Sequence, residues 1–126
     1  INELKETSDI ISLHTNLNES SRHIIDKQFI DDCKKSFCLI NTARGECISN
    51  HDLIYGLESD KIIGAGLDVL ENENKDFEGI AVDQNLDKLK KFENVILTPH
   101  IAGWSKESKV KLAQITVNKI KEFLAL

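Results

Sequence analysis

Four short apolar runs in this chain each end in residues able to do chemistry. Ile10–His14 closes on His14-Thr15-Asn16, and Phe37–Asn41 closes on Asn41-Thr42-Ala43-Arg44-Gly45. Ile62–Leu67 delivers Asp68 with Glu71 and Glu73 beyond it, and Val95–Thr98 delivers His100. Arg44 is one of 2 arginines against 14 lysines. A chain that uses lysine for general positive charge keeps arginine where a planar two-pronged donor matters, and that fork suits a carboxylate or a phosphate. Taken alone, Arg44 equally suits an ion pair that closes a loop. His100 follows Pro99, the only proline, which fixes its own φ and drives Thr98 toward an extended conformation. A histidine placed this way can donate a proton near neutral pH if a carboxylate favours its charged form. Glu71 and Glu73 are both candidates for that carboxylate. The plain alternatives are a strand-end histidine satisfied by backbone and two solvated loop acids.

Other residues of chemical type carry less. Gly64 and Gly66 in "GAGLD" allow close backbone approach but open no helix as a phosphate cradle does, and no G-x-G-x-x-G occurs in the chain. The 3 cysteines, Cys33, Cys38 and Cys47, lack C-x-x-C pairing and read as unpaired thiols of a reducing compartment, with no metal-ligand spacing. His23 and His51 fall on expected helix surfaces, where solvation accounts for them.

The elements that must position these groups are legible in the hydrophobic pattern. The four runs are nearly continuous in hydrophobicity and bounded by polar residues or glycine, as strands buried on both faces of a parallel sheet are. Helices are expected at Arg22–Cys33 and at Asn50–Glu58, where Ser49 with Asp52 resembles a capping box. A third, Lys106–Leu124, carries Val110, Ala113, Val117, Ile120 and Leu124 at three- and four-residue spacing. Strand–helix alternation predicts right-handed crossovers and an α/β, doubly wound parallel sheet with helices on both sides. All four chemical groups then share one edge, at the carboxyl ends of the strands, where open α/β sheets bind ligands. From Asn74 to Glu93 the pattern lapses into a polar surface excursion with one short helix around Leu86–Phe92.

Composition sets the bounds. With 126 residues, 40% hydrophobic and 29% charged, the chain is one globular domain or part of one. A net charge of −5 without a basic stripe speaks against a nucleic-acid partner. No apolar run approaches the roughly 20 residues of a membrane helix. With no signal peptide in view, the expected home is the cytoplasm. A start at Ile1 in mid-element, and the lack of any Met, read as a fragment.

Three phrases taken together, "LKETSDIISLHTNLNESSRHIID", "LINTARGECISNHDLIYGLESDKIIGAGLDVLENE" and "NVILTPHIAG", resemble the nicotinamide-dependent D-2-hydroxyacid dehydrogenases. That family includes D-3-phosphoglycerate and D-lactate dehydrogenases and glyoxylate/hydroxypyruvate reductases. The resemblance implies the second half of a Rossmann-type NAD-binding domain over 1–104 and a C-terminal helix over 105–126. The glycine-rich half and the substrate domain would lie outside this sequence. It implies NAD as cofactor with NADP left open, a small 2-oxo or 2-hydroxy acid as substrate, and a homodimer for the full-length protein.

By motif, the catalytic arginine of N-x-[AS]-R-G falls on Arg44 and the catalytic histidine of T-P-H-[IV]-[AG]-G on His100. The catalytic glutamate, the second acid of D-V-x-E-x-E, falls on Glu73 rather than Glu71. Asp68 takes the position that holds the nicotinamide carboxamide. His14, Thr15, Thr42, Ala43, Arg44, His100 and Gly103 match positions that line the cofactor. One departure is Asn74, where the family often has proline. The implied chemistry is hydride transfer, with Arg44 on the substrate carboxylate, His100 as acid/base and Glu73 orienting it. These 126 residues alone are expected to be inactive. An alternative is an NAD(H)-responsive, non-catalytic interaction protein of the co-repressor type, which can keep the same residues. Trp104 borders the substrate pocket or packs the start of the last helix.

Overall fold

The computed structural model describes residues 1–71 and 84–124. Its centre is a four-stranded, all-parallel sheet in the order β1-β2-β3-β4, with β1 at Ile10–Leu13, β2 at Phe37–Asn41, β3 at Ile62–Leu67 and β4 at Val95–Leu97. Register aligns Leu13 with Asn41 and Asn41 with Leu67, while Leu67 pairs with Leu97. The four strand ends therefore finish level. Three helices connect the strands: α2 (Lys27–Asp32), α3 (Asn50–Glu58) and α4 (Gln84–Leu89). A short α1 (Asn2–Thr7) precedes β1, and α5 (Lys106–Leu124) ends the described chain.

Local chemistry explains the boundaries. The Ser49 hydroxyl accepts the Asp52 N–H at 3.0 Å and starts α3 where the sequence predicts. The helix expected over Arg22–Cys33 is shorter, because Asp26 caps it by accepting the Phe29 N–H at 2.7 Å. Before that cap the chain is irregular: His23 is left-handed at φ 50 and Ile25 makes a parallel bridge to Ile48.

The core lies on one face of the sheet. Ile11, Leu13, Phe37, Leu39, Ile62, Ala65 and Leu67 point into it and meet Phe29 and Ile30 of α2 and Leu53, Ile54 and Leu57 of α3. Gly56 of α3 sits where a Cβ would be 2.6 Å from the Ile62 side chain, so close helix–strand contact needs it. The expected α/β, all-parallel sheet is present, and among the described residues one of its faces is the more covered. Ile10, Ile40, Ile63 and Ile96 on the opposite face are exposed, and no residue of α5 is buried. Nor is the stretch before β4 wholly a surface excursion: Leu89 is buried in the core, Phe92 packs on it, and Lys88 pairs with Glu58 at 2.6 Å. Among the described residues no helix is long and apolar enough to cross a membrane.

Candidate active site

The carboxyl ends of the strands carry the groups that the sequence singles out. Beyond β1, exposed His14 shares a 2.8 Å hydrogen bond with Ser12, and half-buried Thr15 donates to the Asn16 carbonyl. Beyond β2, the turn 42–44 is shaped by Asn41. Its side-chain oxygen accepts the Ala43 N–H at 3.1 Å, and its amide donates to the Arg44 carbonyl at 3.0 Å. Ala43 is buried, whereas Thr42 and Arg44 are exposed. The Arg44 guanidinium donates to the carbonyl of Ala43 at 2.6 Å and forms no ion pair with a described carboxylate. The loop-closing role for this arginine thus has no acid among the described residues. Gly45 follows because a Cβ there would lie 1.9 Å from the Leu70 carbonyl oxygen.

Asp68 directly follows β3 and is buried. Its Oδ1 accepts the Thr98 hydroxyl at 2.5 Å and the Ile101 N–H at 2.8 Å, and its Oδ2 accepts the Ala102 N–H at 2.8 Å. One carboxylate therefore holds the turn beyond β4 that carries His100. Burial pushes the Asp68 carboxyl up, but the bonds from Thr98, Ala102 and Ile101, with the nearby His100, prevail and hold it below the usual carboxylate range. Its main chain closes the turn further, since the Asp68 carbonyl accepts the His100 N–H at 3.0 Å. His100 is exposed and left-handed, at φ 55. Such a conformation is uncommon for a residue with a Cβ and clusters at functional sites. The two turns are also tied together: the Asp68 N–H donates to the Asn41 carbonyl at 2.9 Å.

Of the two acids proposed as the histidine's partner, Glu71 is engaged elsewhere. Its Oε1 lies 2.9 Å from His23 Nε2 and its Oε2 accepts the Asn50 N–H at 2.8 Å. His23 is accordingly half-buried and paired, not a solvated helix residue. Glu73 and Asn74 lie outside the described residues. His51 does lie exposed on α3, 3.2 Å from Asp52. Gly103 is in open space, and Trp104 is exposed with the Lys109 ammonium 5.8 Å from its ring centre, so Trp104 packs on no core. Cys33, Cys38 and Cys47 are all free thiols. The sequence names Asn41 only within the strand-end group and assigns it no role of its own; in the structure it shapes the 42–44 turn. Its signal was a polar residue in the inward-facing series Phe37, Leu39, Asn41.

Comparison with known proteins bears on this edge. The family model described as "D-isomer specific 2-hydroxyacid dehydrogenase, NAD binding domain" matches residues 1–102. The chain is 38% identical over 128 residues to an aromatic 2-oxoacid reductase of Clostridium sporogenes, covering 98% of this chain and 39% of the relative. It is similar to the solved D-isomer specific 2-hydroxyacid dehydrogenase of Lactobacillus delbrueckii ssp. bulgaricus in its NAD-complexed form, at TM-score 0.80 and 32% identity, covering 98% of this chain and 39% of that one. It is likewise similar to the D-lactate dehydrogenase of Aquifex aeolicus solved with NAD and lactic acid, at TM-score 0.76 and 37% identity, with coverage of 98% and 39%. The chain spans about two fifths of the length of the curated relatives it matches, at 39% for the first of them.

Proposed function

The chain belongs to the D-isomer specific 2-hydroxyacid dehydrogenase family, and from that premise we propose that the protein is an NAD-dependent oxidoreductase interconverting small 2-oxo acids and D-2-hydroxy acids. In this reading residues 1–104 are the nicotinamide half of the cofactor domain and 105–126 a C-terminal helix. The observation that carries it is the pairing of two turns at one sheet edge: the Arg44 turn and the His100 turn, joined through Asn41 and Asp68.

The donor set suits the nicotinamide end of NAD. Among the described residues Asp68 Oδ2 accepts one hydrogen bond, from Ala102, and keeps acceptor capacity for an amide N–H such as the nicotinamide carboxamide. Hydroxyls of Thr15 and Thr42, with His14, Ala43, Arg44, His100 and Gly103, complete the proposed lining. When bound, NAD supplies the hydride donor or acceptor. The Arg44 guanidinium binds the substrate carboxylate through two parallel N–H bonds. The His100 imidazole holds the proton that passes to the carbonyl oxygen as it becomes an alkoxide, and recovers it in the oxidative direction. Glu73, the second acid of the family's D-V-x-E-x-E phrase, is the acid assigned to orient His100, while both oxygens of Glu71 are bonded to His23 and Asn50.

The test is NADH oxidation by the full-length protein with glyoxylate, hydroxypyruvate and pyruvate. Arg44→Ala and His100→Asn should each lower kcat/KM by about 100-fold or more. Asparagine tolerates the left-handed backbone at position 100, so the fold should survive that change. An unchanged rate in either variant would sink the assignment.

A further inference from the structure

Asn41 stands at the last position of β2, on the helix-covered face, with 0% exposure. Its register neighbours are Leu13 and Leu67. An apolar side chain at this position would avoid withdrawing an amide from water, so the amide is explained by its bonds rather than by packing. Those bonds have one destination. Nδ2 donates to the Arg44 carbonyl and Oδ1 accepts the Ala43 N–H. They fold the backbone of 42–44 onto the strand end and fix the Cα from which the guanidinium departs. Beyond that point Arg44 is exposed, and among the described residues its side chain is tied down only through Nη1 to the Ala43 carbonyl, an atom of the same turn. The aim of a long side chain with several free torsions therefore depends on the turn that Asn41 builds. Gly45 reinforces it from the other side, with backbone packed against the Leu70 carbonyl.

Resting on the oxidoreductase reading above, we propose that Asn41 is a positioning residue for Arg44, setting where the guanidinium fork meets the substrate carboxylate. Its own atoms touch neither substrate nor cofactor. A misaimed fork weakens carboxylate binding, so KM for the 2-oxo acid should change more than kcat.

The experiment is steady-state kinetics of the full-length protein with Asn41→Leu and Asn41→Ser, each alone and combined with Arg44→Lys, and with circular dichroism to verify folding. Leucine keeps the branched, four-heavy-atom side chain, somewhat enlarged, and removes both bonds. Serine leaves a small void, but its hydroxyl can accept the Ala43 N–H in the equivalent local turn. Asn41→Leu should lower kcat/KM by about 10- to 100-fold, the effect expected of a misplacement near 1 Å. Asn41→Ser should retain more activity than Asn41→Leu. In the Arg44→Lys background Asn41→Leu should cost less than about threefold, because no fork remains to be aimed. A serine variant worse than the leucine variant, or an undiminished leucine penalty beside Arg44→Lys, overturns the positioning role while leaving the oxidoreductase reading intact. Full activity in Arg44→Lys alone overturns both.

Discussion

Replacing Asp68 measures what holds the His100 turn in place. Its carboxylate takes three hydrogen bonds, from the Thr98 hydroxyl and the Ile101 and Ala102 N–H groups. Bonds to a charged acceptor contribute about 1.5–3 kcal/mol each where the partner left behind stays buried. Thr98, Ile101 and Ala102 are exposed, so donors released by truncation regain water. The smaller figure of about 1 kcal/mol per bond then applies, and Asp68→Ala should destabilise the fold by about 3 kcal/mol. Asp68→Asn keeps an oxygen for Thr98 and Ile101 but turns an NH2 toward the Ala102 N–H, so a loss of about 2 kcal/mol is expected. Urea denaturation of the full-length protein reads both. The sign with pH follows from the lowered carboxyl pKa. The unfolded chain, with its aspartate near about 3.9, takes up the proton first as pH falls. Asp68's contribution is therefore fully present above about pH 5 and is lost as pH drops through the lowered folded value. The gap between wild type and Asp68→Asn should stay flat from neutrality to about pH 5 and close below it. Variants within about 0.5 kcal/mol of wild type at neutral pH, or a gap that widens on acidification, would refute the reasoning.

Two further outcomes follow from the same geometry. Gly45→Ala should destabilise by about 3 kcal/mol and lower turnover, because the new Cβ meets backbone of the Leu70 carbonyl at 1.9 Å and no side chain can swing away; a near-neutral result in chemical denaturation contradicts it. Cys33 and Cys47, at 3% and 0% exposure, have thiols pushed up by burial, so both should resist an aromatic disulfide reagent until urea unfolds the protein. Rapid labelling of either in the native state would count against the packing.

Local signals made half of this structure legible in the sequence. β2 and β3 fall where their apolar runs predict, and α3 starts at the Ser49 cap. The parallel alternation placed Arg44, Asp68 and His100 at one edge, which the register bears out. Long-range matters were not readable. A run such as Ile62–Leu67 is as apolar with one covered face as with two, and Ile63 is exposed. His23 sits in a pattern that suits a helix surface, yet its partner Glu71 is 48 residues away. The polar α1 gave no periodic signal; Lys5 ties it to Asp32 at 2.9 Å and lies 5.0 Å over the Phe29 ring. Asp68 carried a family role toward the cofactor, while its bonds to a turn more than 30 residues on could not be seen in one dimension.

The polar groups of this edge divide by burial, and the division assigns work. Asn41 and Asp68 are buried, and each directs its side chain to backbone of the next turn. Arg44, Thr42, His14 and His100 are exposed on those turns. A buried amide or carboxylate must satisfy itself inside the protein, so it is suited to hold geometry; an exposed side chain can exchange water for a ligand at little expense. Substitutions at the buried pair should therefore lower stability and kcat/KM together, and those at Arg44 should lower kcat/KM alone. His100 crosses the boundary. Its side chain is exposed, but its left-handed backbone stores roughly 1–2 kcal/mol that a residue with a Cβ would shed in a relaxed turn. The roughly 3 kcal/mol from the Asp68 bonds exceeds that strain. The buried acid thus fixes both where the histidine sits and the unfavourable conformation in which it is held.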